Sequence, residues 1–319
     1  MAQSVAVATI VAATVSLTAC GGGSSAPASA SGNELKLSSA VQSEHVARYA
    51  GAFGLIGGPG VGAIYASVAQ TFLNKSLAGI ASGSTSCAGG GTYTVSVPAA
   101  TTGIVAGENA NVAFAGCVGV IDAPGVSAQD SVAGSMSVQV QSVQGTVGAT
   151  GTNWSYTALA SANNVVLTSS NGTTTLNGSV TYTTSFDAAT GTTTTTASAP
   201  SVTIARTLPA SNITGTITVA SLAFTRAQNA PAQTQTITAS ASLGIAASDV
   251  TMTFDIATPT PIAIANGALK SGTVTLTSDN ATETLAVQGG STLGVTVTSN
   301  GKTGTYTEQL SDFESLLGS

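Results

Sequence analysis

Charged residues are scarce in this chain, at 6% of 319 residues, whereas an ordinary globular domain has roughly 25%. The seven basic residues are scattered singly, so the basic patch that nucleic-acid binding requires is missing. The 13 acidic residues bring the formal net charge to -6. Because charges are so few, Ser, Thr, Asn and Gln must supply most of the solvent-exposed surface. Hydrophobic residues make up 43% of the chain, which is enough for a sizeable core.

Catalytic and cofactor-binding motifs are also missing. The single histidine, His45, is predicted on the surface of a helix, and no Gly-x-Ser-x-Gly nucleophile elbow accompanies it. Asp249 and Asp255 would be about 20 Å apart on one strand, beyond the roughly 5 to 9.5 Å of glycosidase carboxylate pairs. Neither a phosphate-binding loop nor a calcium loop occurs. The sequence therefore predicts no enzyme and no cofactor, and a hydrolase site assembled across strands is the least favoured alternative.

Alternating apolar and polar residues dominate the chain from about residue 84 onwards. Phe254 and Ile256 are flanked by single polar residues, and the same period of two recurs around Tyr182 and Val295. This period indicates strands with one dry and one wet face, as in antiparallel sheets. Residues 84–319 are therefore predicted to form one antiparallel β domain.

A glycine opens several of these strands. The openings begin at intervals of 43, 44, 37 and 57 residues, at Gly91, Gly134, Gly178, Gly215 and Gly272. These intervals are too uneven for a strict solenoid but fit a degenerate supersecondary repeat. The alternation slips phase between Val140 and Val143 and between Val219 and Leu222, which predicts β-bulges that curve the sheet. We therefore expect a long curved antiparallel sheet, forming a half-barrel or open barrel.

Prolines and lone basic residues interrupt the strand pattern. Two proline-containing stretches are predicted as loops between strands, Gln228–Pro231 and Thr258–Pro261. Four basic residues lie in or beside strands, namely Arg206, Arg226, Lys270 and Lys302. These four are interpreted either as gatekeepers against edge-to-edge association or as ordinary surface charges.

The segment before the sheet, residues 37–83, has a helical pattern. Apolar residues between Val61 and Leu73 recur at helical spacing, and Gly57–Gly60 is predicted to separate this helix from an earlier one. Small residues recur every four positions through the segment, a spacing that lets helices approach closely. The resulting helical hairpin is expected to pack against the concave face of the sheet, with insertion into a membrane as the alternative.

An apolar, uncharged run precedes a cysteine near the amino terminus. The run is too short to span a bilayer, which needs about 20 apolar residues, and it suits a signal peptide. It ends in the motif Leu17-Thr18-Ala19-Cys20. This motif resembles the lipobox of bacterial lipoproteins. The resemblance implies that residues 1–19 are a signal peptide, that Cys20 carries the lipid, and that residues 20–36 form a flexible tether of about 20 Å.

The same resemblance implies a location. In that family, an aspartate directly after the acylated cysteine favours retention in the inner membrane, whereas this chain has Gly21 there. The outer membrane is therefore expected, with the protein on its periplasmic face or at the cell surface. The chain departs from the usual signal-peptide pattern at Met1–Ser4, which contain neither Lys nor Arg.

Two further cysteines remain once Cys20 is assigned to the lipid. In an oxidising periplasmic or surface compartment, Cys87 and Cys117 are expected to form a disulfide. Closing a loop of about 30 residues would stabilise the fold by roughly 3 to 4 kcal/mol. A zinc site is disfavoured because two cysteines so far apart, with one histidine in the chain, do not supply its ligands.

The lipid anchor and the sheet together predict a membrane-anchored protein of the cell envelope with a non-enzymatic structural, adhesive or binding role. The alternative is a periplasmic carrier of an apolar ligand such as lipid. Such a carrier would need an apolar cavity between the helices and the sheet. The expected partners are the membrane, through the anchor, and either an envelope protein or an apolar ligand.

Overall fold

The computed structural model describes residues 51, 56–68, 82–98, 103–121, 129–170, 172–208, 213–247, 250–266, 268–278, 281–299 and 301–309. Within them the chain forms one antiparallel sheet of 14 strands, and every strand pairs with its neighbours in sequence. The strands are β1 (Gly83–Ser86), β2 (Thr92–Ser96), β3 (Asn109–Val118), β4 (Ser131–Gln144), β5 (Trp154–Thr168), β6 (Thr173–Asp187), β7 (Thr192–Leu208), β8 (Ile213–Asn229), β9 (Thr234–Ala247), β10 (Val250–Ala265), β11 (Ala268–Ser278), β12 (Ala281–Gly289), β13 (Thr292–Ser299) and β14 (Lys302–Gln309).

The alternation in the sequence becomes an apolar inner face and a Ser/Thr-rich outer face. In β8, for example, Ile217, Val219, Leu222 and Phe224 are buried, while most of the residues between them are exposed. The long antiparallel sheet predicted from the sequence is thus confirmed. It is open, because the order runs from β1 to β14 and these two edge strands do not pair with each other.

The bulges predicted from the phase slips are present. The pairing of β4 with β5 shifts register between Val140 and Ser142, and the pairing of β8 with β9 shifts between Ala220 and Ala223. Ser221, inside the second bulge, has a positive φ of 53°. Each bulge bends its strand and increases the local twist.

Of the two proline-containing stretches, one is a turn and the other is not. β8 ends at Asn229 and a turn follows, as predicted. Thr258–Pro261, however, lies inside β10, so the loop predicted there is wrong. The hydroxyl of Thr258 accepts the Ala239 N–H at 2.8 Å and donates to the Ala239 carbonyl at 3.2 Å. These two bonds bridge the bulge that the prolines require, because proline has no N–H to pair.

A short helical segment is enclosed by the sheet. A π-helical turn, Ile56–Gly60, runs directly into α-helical turns over residues 61–68. The Gly/Pro stretch predicted to separate two helices is therefore itself helical. The second predicted helix is confirmed over residues 61–68, and the first lies outside the described residues. In the part of the chain that the structure describes, no helix has the length and apolar character needed to cross a membrane.

Every residue from 58 to 68 is buried, so this helix is surrounded on all sides. A methyl group at Gly62 would overlap the Phe224 ring on β8, and the Tyr65 hydroxyl donates to the Gly178 carbonyl on β6 at 2.8 Å. One turn earlier, a methyl group at Gly58 would lie 3.3 Å from Ile256 on β10. Strands β6 and β10 would be about 19 Å apart in a flat sheet, whereas a helix is about 10–12 Å wide. The sheet must therefore curve around the helix.

Candidate functional site

The residues predicted to carry the anchor lie outside the described residues. These are Cys20, the signal peptide and the tether. His45, predicted on a helix surface, also lies outside the described residues. The other predicted pair is confirmed, because Cys87 and Cys117 form a disulfide with a Cα–Cα distance of 5.4 Å. Their bridge ties the turn after β1 to β3. Since β1 has four residues and is an edge strand, the disulfide holds a short edge of the sheet to β3.

Ser and Thr hydroxyls form much of the outer face. Several of them satisfy one another across neighbouring strands: Thr157 bonds Thr183 at 2.8 Å, and Ser161 bonds Ser179 at 2.7 Å. On β9, Ser242 donates to the exposed Asp255 of β10 at 2.5 Å. Cross-strand pairs of this kind stabilise a sheet with few charges.

The outer face also contains a groove of about 460 Å³ across β7, β8, β9 and β10. The described residues that line it are uncharged: Thr196, Ser198, Ala223, Thr225, Thr238, Ser240, Ala257, Thr258 and Pro259, together with Ala197, Phe224 and Ala239, whose side chains are buried on the inner face. The volume lies within the roughly 300–1,000 Å³ of small-molecule sites.

The groove follows from the register of its four strands. Ser198, Ala223, Ser240 and Ala257 lie directly opposite one another, so small side chains form one row across the sheet. A row of threonines, Thr196, Thr225 and Thr238, lies beside it, two residues or about 7 Å further along the strands. Four strands span about 14 Å. The result is a shallow depression about 14 Å long with hydroxyl groups along it.

Charged residues mostly lie inside the protein. Six of the ten charged side chains whose exposure the structure describes are buried, namely Glu108, Asp130, Arg206, Arg226, Glu283 and Glu308. Arg206 and Arg226 are therefore neither gatekeepers nor surface charges, and both interpretations are wrong for them. Lys270 and Lys302 are exposed. Charged residues are rarely buried without partners, so each of the six requires a physical account.

One account is a buried polar row on the inner face. Tyr156, Thr184, Thr195 and Arg226 lie opposite one another on β5, β6, β7 and β8. The hydroxyls of Thr184 and Thr195 are 3.3 Å apart. Burial raises the pKa of Tyr156 to about 12, although its hydrogen bond with Thr184 opposes that shift. The row therefore supplies polar neighbours for a guanidinium within an apolar core.

Arg206 and Glu283 have different surroundings. Burial lowers the pKa of Arg206 to about 10, and the negative charge of Asp130 opposes that shift. Glu283 has no exposed surface, and neither of its carboxyl oxygens has a hydrogen-bond partner among the described residues. Its directly opposite neighbours are Leu276 on β11 and Val297 on β13. Burial therefore raises the pKa of Glu283 well above its ordinary value.

Among the described residues, no group of three or more His, Cys, Asp or Glu side chains is arranged to hold a metal ion. The side chain of Asp249 lies outside the description, so its predicted separation from Asp255 stays a prediction. No protein-family model, curated protein or solved structure matches the chain. The functional argument therefore depends on the chain's own residues.

Proposed function

We propose that this chain is a lipid-anchored protein of the cell envelope that has a non-enzymatic binding role and presents the outer face of its sheet. The motif ending in Cys20 supports the anchor, and residues 20–36 supply a tether. The disulfide between Cys87 and Cys117 supports the compartment, because disulfides persist in oxidising environments.

The observation that carries this proposal is the contrast between the two faces of the sheet. Inside, the helix of residues 58–68 is enclosed, and its backbone at Gly62 lies directly against Phe224. Outside, hydroxyl groups line an open groove. A protein whose interior is occupied by its own helix has its available surface on the outside.

The chemistry of the groove supports binding rather than catalysis. Ser and Thr hydroxyls become nucleophiles when a neighbouring base removes their proton. The described residues that line the groove present hydroxyl, methyl and proline groups, and none of them has a titratable side chain. These groups offer hydrogen bonds and apolar contact to a ligand.

Membrane fractionation of a Cys20→Ala variant tests the anchor. Wild-type protein is expected in the outer-membrane fraction, and the variant is expected in the soluble periplasmic fraction. A Ser24→Ala variant in the tether serves as the matched control and should remain with the membrane. If the Cys20→Ala protein also remains with the membrane, the anchor is not at Cys20, and residues 37–83 become the candidate for membrane contact.

A further inference from the structure

We propose that the outer-face groove binds a neutral oligosaccharide, lying across β7, β8, β9 and β10. This inference deepens the proposed binding role and rests on it. Its first support is the state of the groove's hydroxyl groups. Five of them, on Thr196, Ser198, Thr225, Thr238 and Ser240, make no side-chain hydrogen bond within the described part of the chain.

Elsewhere on the outer face, some opposed hydroxyls are bonded to each other, whereas others, such as those of Thr275 and Thr284, are not. Thr157 bonds Thr183 and Ser161 bonds Ser179, each between neighbouring strands. In the groove, Thr225 lies opposite both Thr196 and Thr238, yet no bond joins them. Five hydroxyls without a side-chain hydrogen bond therefore lie together along the groove, where a ligand can reach them.

The lining excludes other classes of ligand. None of the described residues in it is a cation that could bind a phosphate or carboxylate, or an anion that could bind a basic group. An extended peptide adds to a sheet through unpaired backbone groups, but β7, β8, β9 and β10 are each paired on both sides. An acyl chain would cover five hydroxyls without offering them hydrogen bonds, which costs free energy.

A neutral saccharide matches the remaining chemistry. Its ring hydroxyls can both donate to and accept from Ser and Thr, while its C–H groups can contact Ala223, Ala257 and Pro259. The row of small residues leaves space for a ring, and the length of about 14 Å accommodates a short run of rings. The ligand class is therefore an uncharged, linear oligosaccharide.

Titration calorimetry on the full chain in detergent micelles tests this proposal, with cellohexaose, laminarihexaose, maltohexaose and chitohexaose as probes. At least one probe is expected to bind. The double variant Thr225→Val and Thr238→Val removes two hydroxyls without changing side-chain shape. It should weaken binding about fivefold for each hydrogen bond lost.

Two further variants separate the groove from the rest of the surface. Ala223→Leu fills the row of small residues, keeps all five hydroxyls, and is expected to abolish binding. The matched control is Thr218→Val, an exposed outer-face position on β8 beyond the groove, which should bind as the wild type does. Urea unfolding of each variant shows that the fold is kept.

Three results would overturn the inference. They are no binding of any of the four probes at millimolar concentration, binding that the groove variants leave unchanged, and preferential binding of a uronic-acid or sulfated oligosaccharide. Fractionation with the Cys20→Ala variant keeps the two proposals distinguishable. If no saccharide binds but the protein is anchored normally, the oligosaccharide proposal is wrong and the proposal of a lipid-anchored protein stands.

Discussion

The buried carboxyl of Glu283 leads to a sharp prediction about pH. Glu283 is fully buried between Leu276 and Val297, and its carboxyl group has no hydrogen-bond partner in the part of the chain that the structure describes. Its folded-state pKa is raised well above the ordinary value because burial disfavours the charged form. The folded protein therefore keeps this proton at pH values where the unfolded chain, with a glutamate pKa of about 4.3, has lost it.

The sign and size of the effect follow from proton linkage. A raised folded-state pKa gives a contribution to stability that is complete below the unfolded pKa and is lost as pH rises toward the folded pKa. In that interval, the free energy of unfolding falls by about 1.4 kcal/mol for each pH unit from this group alone. A Glu283→Leu variant removes the titrating group and places an apolar side chain among apolar neighbours. It should be more stable than wild type from about pH 5 upward, by a margin that widens with pH.

Urea unfolding at several pH values from 5 to 8, with the disulfide intact, measures this margin. Glu283→Gln should lose the same pH slope yet gain less stability, because its amide stays buried without a partner. Parallel pH profiles for wild type and Glu283→Leu would refute the reasoning, since they would show that the carboxyl is ionised and stabilised in the fold.

Three further substitutions test the packing and the strand pairing by urea unfolding. Gly62→Ala should destabilise the fold by about 1 to 3 kcal/mol, because the added methyl group overlaps the Phe224 ring. Unchanged stability would show that the helix does not pack against Phe224. Thr258→Val should lower the free energy of unfolding by about 1 to 3 kcal/mol, because the Ala239 N–H and carbonyl both lose their partner. Unchanged stability would show that these two backbone groups have a partner other than Thr258. Replacing Cys87 and Cys117 together by Ser should cost about 3 to 4 kcal/mol, and equal stability of reduced and oxidised wild type would contradict this.

Much of the sheet can be predicted from the sequence because its pattern is local. Consecutive strands pair with each other, so the period of two and the turn residues together determine the order. Phase slips at Val140 and Val219 located two bulges correctly, since a bulge adds one residue to one strand. Residue propensities predict a loop at the prolines of β10. In the fold the strand continues, because the Thr258 hydroxyl bonds the Ala239 backbone groups in place of a backbone partner. Propensities do not describe such a side-chain bond.

The burial of the charged residues can be read from their positions in the alternating strand pattern, although not from their residue type. Arg206 follows Ile204 by two residues, and Arg226 follows Phe224 by two, so both are in phase with the inner face. Glu283 precedes Leu285 by two residues in the same way. Phase therefore predicts their burial, whereas residue type predicts a surface position.

The groove could not be predicted, because it depends on register across strands that are far apart in sequence. Ser198 and Ala257 are three strands apart, and turns and bulges decide whether the small residues of those strands form one row. One-residue slips would move any of them to the other face. The sequence predicts that the helix packs on the concave face of the sheet. It does not predict that the helix is fully enclosed, because enclosure depends on how strongly the sheet curves.

The chain's own helix occupies the space inside the sheet, and we propose that binding takes place on the outer face. Native mass spectrometry of the delipidated protein, before and after addition of phospholipid and fatty acid, tests this most directly. We predict a bare mass in both conditions, with no lipid retained or taken up. A retained or acquired lipid that survives Ala223→Leu in the outer groove would contradict the claim and favour the carrier of an apolar ligand.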